Sequence, residues 1–393
     1  MTGRRRALRG WQLGLLLGSV AGAAVTVLGR RAEQSAREGL VDWAAVERVA
    51  VARLRSAPGT LTAAELAAAE PAYAEALGRV VPALEAYLDT ALPGIVERLA
   101  VVDRAGWVAA NRTTFAAIFG RVEKEVLPAL LPPGAGLAKA SLFLANRWVT
   151  TGQIGLLLGF LGRRVLGQYD LALLAAESTP GQLLFVEENV RQTAGVLRLP
   201  VDDFRTWVAL HEATHAFEFE AHPWLRPWLA ARLERQLDLF ASASASLPRE
   251  AVRGFGRALR GAGRGHWLER LMSPEERHLF RETQAVMSLL EGYADHVMDS
   301  VGRELLPEAE TISARFHARR ARRTRLERAV LRLTGMDLKL EQYARGARFV
   351  AAVEAAGGST ALRRLWEGPE GLPRDDEIDE PGRWLRRVVG VAA

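Results

Sequence analysis

Trp207-Val-Ala-Leu-His211-Glu212-Ala-Thr-His215-Ala-Phe217 sets two histidines four residues apart, with a glutamate directly after the first. On a helix, positions i and i+4 project from one face about a turn apart, so both imidazoles can close on one metal ion. Glu212 then stands beside that ion, where a carboxylate can act as general base on an activated water. The surrounding residues support the helix. Asp202 and Asp203 offer an N-cap and favourable charge at the positive end of its dipole, and Pro223 cannot continue it beyond Ala221 and His222. Phe204, Trp207, Val208, His211 and His215 recur at spacings of three and four, which turns the histidines toward the interior with the apolar residues.

A metal here has a restricted choice of ligands. The chain has 393 residues and no cysteine, which excludes disulfides and thiolate zinc sites and leaves His, Asp and Glu. With 49% hydrophobic residues it can bury a large core, and no break in composition demands a split. The net charge of +6 comes mostly from arginines scattered among acidic residues, and no nucleic-acid-binding module is present, so no nucleic-acid partner is expected. The densest basic run, Arg315 to Arg332, has Leu326, Val330 and Leu333 behind its arginines, the pattern of a solvated helix face.

Catalytic zinc takes three protein ligands and keeps one position open, whereas structural zinc takes four. The residues after His215 do not supply the third, because His222 is seven positions on and Pro223 ends the helix. Downstream, Ser273-Pro-Glu-Glu276 combines an N-cap, a proline at the first helical position and a capping-box glutamate, predicting a helix to about Gly302. It carries Glu291-Gly-Tyr-Ala-Asp295-His296. At about 100° per residue, Asp295 falls roughly 40° from Glu291 and His296 roughly 140°. Glu291 is the first choice for third ligand, Asp295 its main rival and His296 the third. The four-residue spacing of Glu291 and Asp295 resembles that of gluzincins, in which the glutamate ligates zinc and the aspartate orients a ligand histidine, so Asp295 is the expected orienting residue behind the site. Gly292 would let the two ligand-bearing helices approach closely.

The first 39 residues stand apart from the rest. Arg4 to Arg6 precede an apolar stretch, residues 11–28, in which Gly14, Gly18 and Gly22 form a ridge suited to close helix approach. Gln12-Leu-Gly-Leu-Leu-Leu-Gly18 nearly repeats in Gln153-Ile-Gly-Leu-Leu-Leu-Gly159, which suggests two glycine-ridged helices packed together inside one fold. The alternative is a membrane anchor or cleaved signal, so the expected location is cytoplasmic with membrane association through residues 11–28 left open. Residues 40–393 read as one domain with a helical part to about residue 170, including a capping box at Thr62 and Glu65. Gly181-Gln-Leu-Leu-Phe-Val186 is short, apolar and bounded by turn residues, so it reads as a strand. Pro223 to Met272 reads as loop-rich, a cleft wall or lid, with Ala241-Ser-Ala-Ser-Ala-Ser246 flexible.

Taken together, these landmarks resemble the bacterial zincin-like metallopeptidase family, largely uncharacterised proteins of which some are described as hydrolases associated with deazaflavin-coenzyme biosynthesis. The resemblance runs through Leu40-Val-Asp-Trp43, Val102-Asp103-Arg104 with Trp107, Val165-Leu-Gly-Gln-Tyr-Asp170, Phe185-Val186 with Asn189, and Asp203 to Trp207 leading into the histidine pair. It continues through Pro223-Trp-Leu-Arg226, Glu291 to Asp295, Lys339-Leu-Glu-Gln-Tyr343, Trp366 and Leu372-Pro373. It implies a mainly α (α+β) zincin-like metalloprotease fold, with the H-E-x-x-H helix, a second ligand helix and a small β-sheet. It implies one zinc per chain on His211, His215 and Glu291. The expected activity is that of a gluzincin-type zinc metallopeptidase or related hydrolase, with Glu212 as general base on the water that attacks a peptide or amide carbonyl. Tyr343 is the candidate oxyanion donor, with His317 and Arg345 as alternatives. The 181–186 strand is expected either to hold an extended substrate over the metal or to be a core strand. A non-catalytic zincin-fold protein with structural zinc or a binding role is the other functional reading.

Overall fold

The structure, a computed structural model, describes residues 34–35, 38–92, 94–130, 137–169, 181–245, 272–321 and 336–390. It is mainly helical. The principal helices are α1 (Trp43–Arg55), α2 (Glu70–Leu88), α3 (Arg104–Leu130), α4 (Leu137–Gly162), α5 (Glu187–Leu197), α6 (Val201–Glu220) and α7 (Leu225–Ala245). They are followed by α8 (Pro274–Leu305), α9 (Ala309–Ala321), α10 (Met336–Arg364) and the short α11 (Asp375–Asp379). Three strands, β1 (Leu99–Val102), β2 (Gly167–Tyr169) and β3 (Leu183–Val186), form one sheet in the order β1-β3-β2.

β3 is the wall between two cores, which explains why it is apolar at every position. Strand side chains alternate between faces. Leu183 and Phe185 point into the larger core with α2, α6, α8 and α10, whereas Leu184 and Val186 point into a smaller one with α1, α3 and α4. β1 pairs with β3 in parallel and β2 pairs with it antiparallel, so β3 has both edges filled. It is therefore the core strand and has no edge for a substrate. β2 occupies the flank of the sheet that faces α6.

The two capping boxes expected from the sequence form as their chemistry predicts. Ser273 and Glu276 close a capping box ahead of Pro274 at the start of α8, and Thr62 with Glu65 does the same for the short helix Ala63–Ala67. α6 differs in detail: it begins at Val201 after Pro200, and Asp202 and Asp203 lie in its first turn rather than capping it. The expectation of a loop-rich stretch after Pro223 is corrected over residues 225–245, which form α7, including Ala241 to Ala245. Leu225, Trp228, Leu229 and Arg232 are spaced for one helix face, and they pack it inward while Arg232 lies over the Trp228 ring. Residues 246–271 lie outside the described ones.

A second correction concerns Gly292. It does bring two backbones together, but the partner of α8 there is α10 rather than α6. A Cβ on Gly292 would lie 2.1 Å from the carbonyl carbon of Gly346, and one on Gly346 would lie 1.7 Å from the Ser288 carbonyl oxygen. The glycine ridge of α4 is also already occupied: Gly155 and Gly159 receive Val49, Arg53 and the backbone of α1. Residues 11–28 lie outside the described residues. Among the described ones, no helix is long and apolar enough to cross a membrane.

Candidate metal centre

α6 and α8 cross in the larger core, and the three first-choice ligands meet at the crossing. One donor atom each from His211, His215 and Glu291 lies within 4.8 Å of the others. Glu291 Oε2 is 3.8 Å from His211 Nε2 and 3.7 Å from His215 Nε2, and the two rings stand edge to face at 4.7 Å between centroids. Glu291 is buried, while each histidine side chain keeps 15% of its surface exposed, so the group opens to one side.

The far nitrogens of both imidazoles are engaged. His215 Nδ1 is 2.7 Å from Glu218 Oε2, and His211 Nδ1 is 3.2 Å from the Met298 sulfur. A carboxylate on Nδ1 fixes ring orientation and directs Nε2 at the site. Burial pulls the His215 pKa down, but the charges of Glu218 and Glu291 outweigh it and hold it well above the usual imidazole value. Burial lifts Glu218 to about 7 against the opposing pull of His215, and its other oxygen, Oε1, is buried without a hydrogen-bond partner. Two imidazoles facing buried carboxylates are the environment a divalent cation would neutralise.

Glu212 is held by β2. Its Oε2 accepts a 3.0 Å hydrogen bond from the Tyr169 backbone N–H. The close approach depends on Gly167, since a Cβ there would lie 2.6 Å from Glu212 Cγ and 2.8 Å from Oε1. β2 is itself fixed from behind: Trp107 Nε1 donates to Gln168 Oε1 at 2.7 Å, and Gln168 Nε2 donates to Asn111 Oδ1 at 2.9 Å. Asn189 ties the chain entering β2 by donating to the Gly162 and Val165 carbonyls, and it accepts from buried Arg104. At the other end, the Tyr169 hydroxyl donates to Glu220 at 2.8 Å and accepts from Arg226; burial and the Glu220 charge raise its pKa to about 12.

The remaining sequence-predicted residues fall in several places. Asp295 is half-buried on α8, one turn beyond Glu291, and Glu218 is a carboxylate set against the His215 imidazole. His296 turns away to Tyr87 and Glu354. Arg345 pairs with Asp375 and Asp379 of α11, and His317 is exposed on α9. Tyr343 belongs to α10, and its side chain lies outside the described residues. Sequence reasoning missed Glu218, although its position three residues after His215 on one helix was a usable signal. It also missed the Tyr169 N–H on Glu212, a contact across 43 positions that no local pattern announces.

A family model described as zincin-like metallopeptidase matches residues 41–385. The chain belongs to this zincin-like family. The match includes α6 and α8, the sheet and the C-terminal elements, and the group of His211, His215 and Glu291 is one that could hold the metal the family implies. The fold is also that of a crystal structure from Chloroflexus aurantiacus, described as a hydrolase, provisionally so assigned, with a novel fold. That chain is 36% identical, with a TM-score of 0.65 over 88% of this chain and 98% of its own. No curated protein matches.

Proposed function

We propose that this zincin-like protein is a zinc-dependent hydrolase acting on peptide or amide bonds, with His211, His215 and Glu291 as the metal ligands. The observation that carries the reading is the convergence of these three donors within 4.8 Å, beside a glutamate held by a backbone N–H. Two imidazoles and one carboxylate suit zinc and leave a coordination position open, the catalytic rather than the structural pattern. Bound zinc would supply Lewis acidity toward a carbonyl oxygen and acidify a water.

The chain's own residues supply the rest. Glu218 keeps His215 oriented. Glu212 takes the proton of the attacking water and delivers it to the departing nitrogen, so the carboxylate ends as it began. Tyr169 N–H keeps that carboxylate from swinging away. β2, rather than the 181–186 strand, is the sheet element next to Glu212 and the surface against which an extended substrate would lie.

The test is zinc content per chain together with hydrolysis of a peptide library. Wild type is expected to hold one zinc per chain; His211→Ala and Glu291→Ala should lose it. Glu212→Gln should keep zinc and lose hydrolysis. Zinc retained with no Glu212-dependent hydrolysis would instead assign the metal a structural or binding role.

A further inference from the structure

The two histidines of the candidate site are backed by different chemistry. Behind His215 stands Glu218, three residues on in the same helix, whereas behind His211 stands the thioether of Met298, which comes from α8. Met298 follows Glu291 by seven residues, which turn an α-helix through about 700°, so the two side chains leave α8 within about 20° of each other. α8 therefore presents a carboxylate to the Nε2 side of His211, at 3.8 Å, and a sulfur to its Nδ1 side, at 3.2 Å. Met298 is 4% exposed, and Val297 and Val301 beside it on the helix are buried as well. Farther along α8, a Cβ on Gly302 would lie 3.6 Å from Leu210 Cδ2, so the helix also rests on the residue before His211.

One protonation state suits this contact. A neutral imidazole carries its proton on one nitrogen and a lone pair on the other, while a thioether sulfur has lone pairs and no proton to give. A lone pair on Nδ1 facing that sulfur at 3.2 Å would be repelled, whereas an N–H there donates a hydrogen bond. A proton on Nδ1 leaves the Nε2 lone pair for the site, the form in which an imidazole binds a metal.

We propose that Met298 is a positioning residue for the metal site: its sulfur accepts the Nδ1 proton of His211 and holds that ring with Nε2 turned toward Glu291 and His215. The inference rests on the reading of His211 as a metal ligand. It also gives a reason for sulfur at this place. Ionised Glu291 and Glu218 bring two negative charges to the site, which match one divalent cation. A carboxylate behind His211 would add a third and weaken the cation's pull on a carbonyl oxygen and on water. The thioether orients the ring and adds no charge, and its unbranched chain reaches His211 from the neighbouring helix.

Two substitutions separate this role from packing. Leucine keeps nearly the same apolar volume but accepts no hydrogen bond, and glutamine supplies an uncharged acceptor of similar length. Zinc affinity is measured by chelator competition for wild type, Met298→Leu and Met298→Gln. The cobalt(II)-substituted proteins then show the Nδ1 protons of metal-bound histidines as shifted, exchangeable NMR signals, with that of His211 assigned by its loss in His211→Gln. Met298→Leu should melt close to wild type and bind zinc about tenfold more weakly, the lower end of what is lost with the partner behind a metal-binding histidine. Its His211 Nδ1 proton should exchange faster with deuterium oxide, and Met298→Gln should recover both slow exchange and most of the affinity. Metal uptake and proton exchange equal in wild type and Met298→Leu would overturn this inference alone. Weaker binding in both variants with unchanged exchange would reduce Met298 to packing and overturn it too. No metal uptake by wild type would overturn the metal reading itself, and this inference with it.

Discussion

Glu218 and Gly167 control the candidate site without themselves being proposed ligands. Glu218 contacts His215 and also raises that imidazole's affinity for a proton, so a proton would compete with the proposed metal at that ring. Glu218→Gln is expected to weaken zinc binding about 10- to 100-fold above neutral pH. The same variant should show a shallower loss of affinity as pH falls, because the charge holding the competing proton is gone. Chelator-competition titrations at several pH values measure both, and unchanged affinity would remove Glu218 from the site. Gly167 tests Glu212 separately. The nearest atoms a Cβ there would meet are Glu212 Cγ and Oε1, at 2.6 and 2.8 Å, and that side chain can rotate to yield. Gly167→Ala should therefore leave zinc content and melting temperature nearly unchanged and lower turnover, by displacing the carboxylate from the Tyr169 N–H. Full turnover with unchanged zinc would show that the position of Glu212 over β2 is irrelevant.

At the level of elements, the crossing of α8 with α10 sets where Glu291 stands. Gly292 and Gly346 let backbone touch backbone, so an added methyl has nothing flexible to push aside. Overpacking typically costs about 1–3 kcal/mol, and rigid contacts belong at the upper end of that range. Gly292→Ala should lower the melting temperature and also weaken zinc binding, since the shift falls on the residue next to Glu291. A thermal melt with and without zinc reads both; an unchanged melt would mean the helices separate freely. The same crossing shows what was legible in sequence. Ser273 to Glu276 announced α8, and angular spacing showed that Glu291 and His296 cannot both face one site, because caps and helical periodicity are local physics. That Gly292 faces α10 and not α6 is a matter of which helix lies alongside, and no local pattern holds it. α7 was mistaken for loop because its arginines, alanines and serines obscure the apolar spacing of Leu225, Trp228 and Leu229.

On the scale of the whole molecule, the H-E-x-x-H helix pointed to the candidate site where His211, His215 and Glu291 meet, whereas the sheet order was not legible, since β3 separates two cores only once α1, α3 and α4 have packed on its far side. The C-terminal part of the chain closes the fold through a contact equally invisible in sequence: His222, just past α6, stacks on Trp366 with ring centroids 4.9 Å apart and planes 4° from parallel. Trp224 Nε1 donates to the Trp366 carbonyl beside it. Burial depresses the His222 pKa from its usual 6.5 to about 4. The folded state therefore takes up this proton only below about pH 4, whereas an unfolded histidine takes it up near 6.5. Between those values the unfolded chain binds more protons, so acidification favours unfolding. The contribution is fully present above the unfolded pKa, declines as pH falls toward about 4, and changes no further below it. His222→Gln, which cannot titrate, should flatten this part of the stability profile, measured by denaturant melts between pH 7 and 4 on zinc-free protein so that the metal ligands' own protonation does not carry the signal through zinc loss. An equally steep decline in the variant would place the acid sensitivity elsewhere and leave the His222–Trp366 stack as packing alone.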